Sequence, residues 1–136
     1  MSKASKSSTV NILKPHKDVL EAYEVEIQNI KNGTFNLISL RKLLGHYHAE
    51  LAKASAMNEF IDLSLANHLH QKCIKILNYI ETSDQSDSTT ELLAVVAYFV
   101  NSNDAADDFH TIDGFKDDLE IMEYVLQRYQ LQDVIG

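Results

Sequence analysis

Ser88-Thr-Thr-Glu91-Leu-Leu-Ala-Val-Val-Ala-Tyr-Phe-Val100 opens polar and then runs apolar for nine residues. Ser88 and Glu91 have the spacing of a capping box, in which the serine hydroxyl accepts a backbone N–H and the glutamate reaches back to the helix start. That predicts a helix beginning at Ser88. Beyond Glu91, apolar residues fall on nearly every side at helical spacing, so no face is reserved for water. Nine apolar residues also fall well short of the ~20 needed to span a bilayer. The expectation is a core helix with others wrapped around it.

The flanking sequence supplies the wrapping. From Lys17 to Lys31, Leu20, Tyr23, Ile27 and Ile30 recur at helical spacing, and Asn32-Gly33 tolerates the left-handed conformation that stops a helix. A second helix is expected from Asn36, with Leu37, Leu40, Leu44, Tyr47 and Leu51 on one face and an end near Ser55 to Met57. Asn58 can cap a third, carrying Ile61, Leu65, Leu69, Cys73, Ile76, Leu77 and Ile80, and Thr82 to Asp87 reads as a polar loop. After a second polar loop from Asn101 to Ile112, Asp113 can cap a fifth helix striped by Phe115, Leu119, Met122, Leu126 and Tyr129. One proline and four glycines in 136 residues leave few breakers, and strand-like alternation is nearly absent. The fold class expected is all-α, a compact single-domain bundle of about five helices with antiparallel neighbours. Residues 1–14, rich in Ser and Lys and ending at Pro15, are expected to be a disordered segment ahead of one domain spanning 15–136.

The net charge of −8 is unevenly spread. Residues 1–80 hold ten Lys or Arg against seven Asp or Glu, a net +3, whereas residues 81–136 hold two against thirteen, a net −11. Such an acidic pole repels nucleic-acid phosphates and anionic lipid, and attracts metal ions or basic protein surfaces. No nucleic-acid partner is expected. The single cysteine, Cys73, cannot form an internal disulfide and lies in an apolar helical pattern, which suits packing in a reduced, cytoplasmic setting. No apolar stretch of signal-peptide length follows the N-terminus, so secretion is not expected, nor is a transmembrane segment.

Asp104, Asp107, Asp108, Asp113, Asp117 and Asp118 lie within fifteen residues. Clustered carboxylates suit hard cations such as Mg²⁺, Ca²⁺ or Mn²⁺, which relieve their mutual repulsion. Asp104, Asp108, Asp117 and Asp118 are the candidate metal ligands. An EF-hand is excluded, because counting back from Gly114 as the sixth loop position puts Phe109 at the first. A structural role is the favoured reading of the same residues. Asp104 and Asp113 can cap helical turns, Asp117 and Asp118 sit where a helix dipole favours negative charge, and Asp118 lies three residues from Phe115 and four from Met122. On that flank of the apolar stripe it needs partners, with backbone N–H groups of the 104–108 loop as candidates. The histidine pairs His46/His48 and His68/His70 are spaced i, i+2 and cannot chelate as pairs, though one from each helix could meet near Glu50. Neither the Glu-x-x-His motif of di-iron bundles, nor Gly-x-Ser-x-Gly, nor a phosphate loop is present. No catalytic or cofactor-binding residue is assigned.

Tyr98 to Leu119 resembles, without a gap, the signature of the YkvA-like family, Y-x-x-S-P-x-D-x-x-P-D-x-x-P-x-x-G-x-x-D-D. Tyr98, Asp104, Asp108, Gly114, Asp117 and Asp118 stand at its tyrosine, acidic and glycine positions. Ser102, Asp107 and Thr111 replace the three pattern prolines, and Asn103, His110, Asp113 and Lys116 make polar a loop that is apolar in many relatives. The resemblance implies a soluble, divergent member of a family known mainly as a domain of unknown function, and so implies no activity. The leading functional expectation is a non-catalytic interaction or regulatory module whose acidic C-terminal pole meets a basic protein surface. The alternative is a divalent-cation-binding protein or metal-dependent hydrolase built on the clustered aspartates.

Overall fold

A computed structural model describes residues 14–57, 63–83, 87–100 and 114–135. They form six helices, α1 (Lys17–Lys31), α2 (Leu37–Met57), α3 (Leu63–Thr82), α4 (Asp87–Val100), α5 (Gly114–Arg128) and the single turn α6 (Gln132–Ile135), and no strand occurs among the described residues. The all-α bundle is as the apolar periodicities require. None of these helices is long and apolar enough to cross a membrane. The N-terminal segment to Leu13, the Asn58 cap and the 101–113 loop lie outside the described residues.

Local chemistry sets the helix ends. Gly33, at φ +77°, closes α1: its N–H bonds the Ile30 carbonyl at 3.1 Å, and the Thr34 N–H bonds that of Asn29 at 2.9 Å. This crossed pair of bonds is the Schellman stop, and glycine takes the left-handed conformation without steric cost. Asn36 opens α2 reciprocally, its side-chain oxygen accepting from the Ser39 N–H and its own N–H donating to Ser39 Oγ, both at 2.9 Å. The end of α5 has the same crossed bonds, from Gln130 N to Gln127 O and from Leu131 N to Leu126 O, but here a glutamine takes the left-handed turn at φ +57°. An L-residue there costs roughly 1 kcal/mol. In return the chain folds back so that Leu131 and Ile135 are buried.

From Ser88 to Val100 no residue of α4 is exposed. Leu92, Ala94, Val95, Val96, Ala97 and Phe99 are all buried, which covers the whole circumference. The helix packs against α1, α2, α3 and α5. One contiguous apolar cluster draws on all six helices. Within it Tyr47 of α2 meets Phe99 of α4 at 5.0 Å between centroids, and Phe99 meets Phe115 of α5 at 6.5 Å, both in the tilted geometry aromatic rings prefer. Arg41 bonds Glu81 near one end of the α2–α3 contact and His48 meets Asn67 further along, so these two helices are antiparallel.

The structure corrects three expectations. The fourth helix begins at Asp87, so Ser88 lies inside the first turn and is not the N-cap. The buried face of α1 is Val19, Tyr23 and Glu26, with Leu20, Ile27 and Ile30 only half-buried at its edges. The Tyr23 hydroxyl donates to α4 and the Glu26 carboxylate accepts from Asn29 of its own helix, which lets that face turn inward. The stripe of α5 is wider than expected, adding Asp118, Ile121 and Val125, because α5 touches α1, α3, α4 and α6 together.

Ala94 and Ala97 are fully buried where α4 meets its neighbours. Ala97→Leu is therefore expected to destabilise the domain by about 1–3 kcal/mol through overpacking. Ala52→Leu, on the exposed side of α2, is expected to change stability by no more than about 0.5 kcal/mol. Urea unfolding midpoints of the two variants check the difference.

Candidate functional site

Glu91, one turn into α4, is the polar centre of the bundle, its side chain 13 % exposed. Tyr23 Oη of α1 donates to the Glu91 backbone carbonyl at 3.1 Å and to Oε1 at 3.3 Å. Arg128 Nη1, at the end of α5, donates to Oε1 at 3.1 Å, and the Tyr129 hydroxyl donates to Oε2. The guanidinium also lies 5.7 Å from the centroid of the Tyr129 ring. Burial, then the neighbouring carboxylate, push the Tyr23 phenol far up, so it stays a donor. The Glu91 carboxylate chiefly holds Arg128 in its charged form. Both carboxylate oxygens are thus engaged by α1 and α5 rather than by the start of α4 itself. A charged donor outcompetes a backbone N–H for a carboxylate with little access to water. The capping-box role expected of Glu91 is replaced by a clasp across three helices. Sequence reasoning missed it, although an acid set directly against a nine-residue apolar run signals a need for partners.

The aspartates separate. Asp117 is exposed and Asp118 is 3 % exposed, as adjacent positions on one helix require when only one face is buried. Asp118 points toward α3, where its charge adds to burial in pushing the Cys73 thiol far up. A thiol held protonated is a poor nucleophile, and Cys73, fully buried and not in a disulfide, has a packing role. Asp104, Asp107, Asp108 and Asp113 lie outside the described residues. Among the described residues no group of three or more His, Cys, Asp or Glu side chains is placed to hold a metal ion.

His48 of α2 and His70 of α3 do meet, stacked at 4.1 Å between centroids and 21° between planes. His48 Nε2 lies 3.1 Å from Asn67 Oδ1. His46, His68 and Glu50 are exposed. On the surface, α5 presents Asp117, Glu120 and Glu123, and α6 presents Asp133. A groove of about 510 Å³ between the ends of α1 and α3 and the starts of α2 and α4 has Ile30, Phe35, Leu37, Ile80 and Leu93 in its walls and Glu81 on its rim.

Compared with known proteins, the chain matches no family model, no curated protein and no solved structure.

Glu91→Ala strips Tyr23, Arg128 and Tyr129 of a shared acceptor, and is expected to destabilise the domain by on the order of 2 kcal/mol or more. The Arg41–Glu81 pair, at 3.0 Å but with Glu81 57 % exposed, is a contrasting case. Glu81→Ala is expected to cost less than about 1 kcal/mol, because solvent screens an exposed pair. Chemical denaturation of both variants at one pH and salt concentration gives the comparison.

Proposed function

We propose that this chain is a non-catalytic helical interaction module whose acidic C-terminal helices receive a basic protein surface. The observation that carries the reading is the exposed row Asp117, Glu120 and Glu123 on α5, with Asp133 of α6 also exposed. It lies on a helix whose other side is anchored in the core by Phe115, Ile121, Met122 and Val125. Lys116 and Arg128 are the only Lys or Arg after position 80, and Arg128 is paired with Glu91. A fixed row of like charges attracts a complementary surface over about one Debye length and governs encounter rate and partner choice more than final affinity. The resemblance of Tyr98 to Leu119 to the YkvA-like signature is part of the same proposal, and of the acidic row Asp117 falls within that segment.

A Lys- and Arg-rich peptide is the probe. Saturable binding at low salt is expected, weakening steeply as salt rises, and the triple variant Asp117→Asn/Glu120→Gln/Glu123→Gln is expected to weaken it by about tenfold or more. Equal binding by that variant, or no saturable binding at low salt, counts against the reading.

Cation binding is the second reading, with the candidate set Asp104, Asp108, Asp117 and Asp118 as ligands to Mg²⁺, Ca²⁺ or Mn²⁺, although Asp117 is exposed and Asp118 buried on α5. A cation bound only by the folded state raises the melting temperature by mass action. Under this second reading, millimolar cation raises it in the native chain and not in Asp104→Asn/Asp118→Asn. Under the interaction-module reading, cation leaves it unchanged. Asp118→Ala then lowers stability by on the order of 2 kcal/mol for want of a buried acceptor, while Asp117→Ala changes it by less than about 0.5 kcal/mol.

A further inference from the structure

The two imidazole rings of His48 and His70 lie face to face at the middle of the antiparallel α2–α3 contact, 4.1 Å apart. Both are half-buried. Nδ1 of His70 is buried with no hydrogen-bond partner among the described residues. One turn either side of His48 stand Leu44, Gly45, Leu51 and Ala52, and one turn either side of His70 stand Ala66, Asn67, Cys73 and Ile74. None of these is a carboxylate that could accept a proton-linked charge. Stacked rings also direct their nitrogen lone pairs in parallel planes, so the pair cannot close on one metal ion.

We propose that the His48–His70 stack is an acid-sensitive clasp, which holds α2 against α3 while the His70 ring is neutral and loosens that contact when His70 takes up a proton.

The charged groups on the surrounding helices do not offset the added charge. On α2, Arg41 is bonded to Asn78 and Glu81, and Lys42, Glu50 and Lys53 are exposed. On α4, Glu91 is held by Tyr23, Arg128 and Tyr129. On α5, Asp118 acts on Cys73, while Glu123 lies with Lys72 at a groove between α3, α5 and α6, and Asp133 of α6 is exposed. What acts on His70 is burial first and His48 second, and both lower its affinity for a proton. In the unfolded chain the ring takes up its proton near the ordinary 6.5, and in the folded chain only at lower pH. The stability held by the neutral ring is therefore complete above the ordinary value and is lost as pH falls through the window below it. The charge arrives in the half of the chain that already carries most of the bases.

Ring-proton NMR titration of the whole chain, paired with amide hydrogen exchange at about pH 7.5 and about pH 5.5, tests the clasp. The expected result is a His70 midpoint below 6.5, faster exchange at low pH in α2 and α3 relative to α1 and α5, and a His70 midpoint that rises in His48→Gln. In His70→Gln the acid-induced gain in α2–α3 exchange is expected to vanish. A His70 midpoint at or above 6.5, or a His48→Gln chain with an unchanged midpoint, overturns the proposal. If His70→Gln does not fold, the native chain and His48→Gln decide the matter alone.

Discussion

A helix with no exposed residue from Ser88 to Val100 cannot exist by itself, and α4 imposes that condition on everything around it. Its apolar circumference requires α1, α2, α3 and α5 on its sides, and its two buried alanines set how closely they approach. The one charge in its apolar half-turns, Glu91, adds a second condition. A carboxylate with so little access to water must be neutralised and hydrogen-bonded where it stands. Tyr23 supplies a donor from α1, and Arg128 and Tyr129 supply a cation and a donor from the end of α5. Hydrophobic enclosure thus brings the helices together, while the Glu91 clasp fixes the registers of α1 and α5. The left-handed turn at Gln130 belongs to the same arrangement, since it reverses the chain just after Tyr129.

Much of this was legible in the amino-acid order because it depends on local spacing. Helix α1 spans Lys17–Lys31 and stops at Gly33, as its periodicity and Asn32-Gly33 imply, and α2 ends at Met57. The burial of Asp118 followed from its distance to Phe115 and Met122. Features that depend on helices distant in sequence were not legible. Ser88 and Glu91 satisfy the capping spacing, yet Glu91 is claimed by residues 68 positions before it and 37 and 38 after it. Gln130 in the left-handed conformation carries no glycine signal. For the candidate cation ligands, spacing could bring Asp104 and Asp108 near Asp118, but no local rule decides whether a loop presents its carboxylates or its backbone N–H groups to a helix start.

The division of charge follows the division of labour among the helices. The bases lie mainly in α1–α3, while α5 and α6 turn one side into the core and the other, acidic, side outward. Asp117 and Asp118 show the divide within two residues, one exposed and one buried. Under the proposed interaction-module reading, this outward acidic side is the part that meets a partner. The strongly perturbed groups, the Tyr23 phenol and the Cys73 thiol, are both held protonated and inert.

If enclosure of α4 organises the molecule, its backbone amides open only when the whole domain unfolds. Native-state hydrogen exchange in low urea tests this most directly. The account predicts that amides from Leu92 to Phe99 exchange with the free energy and denaturant slope of global unfolding, above those of α1, α2 and the turn α6. Amides in α4 that exchange through a smaller opening than those of α2 or α3 contradict it.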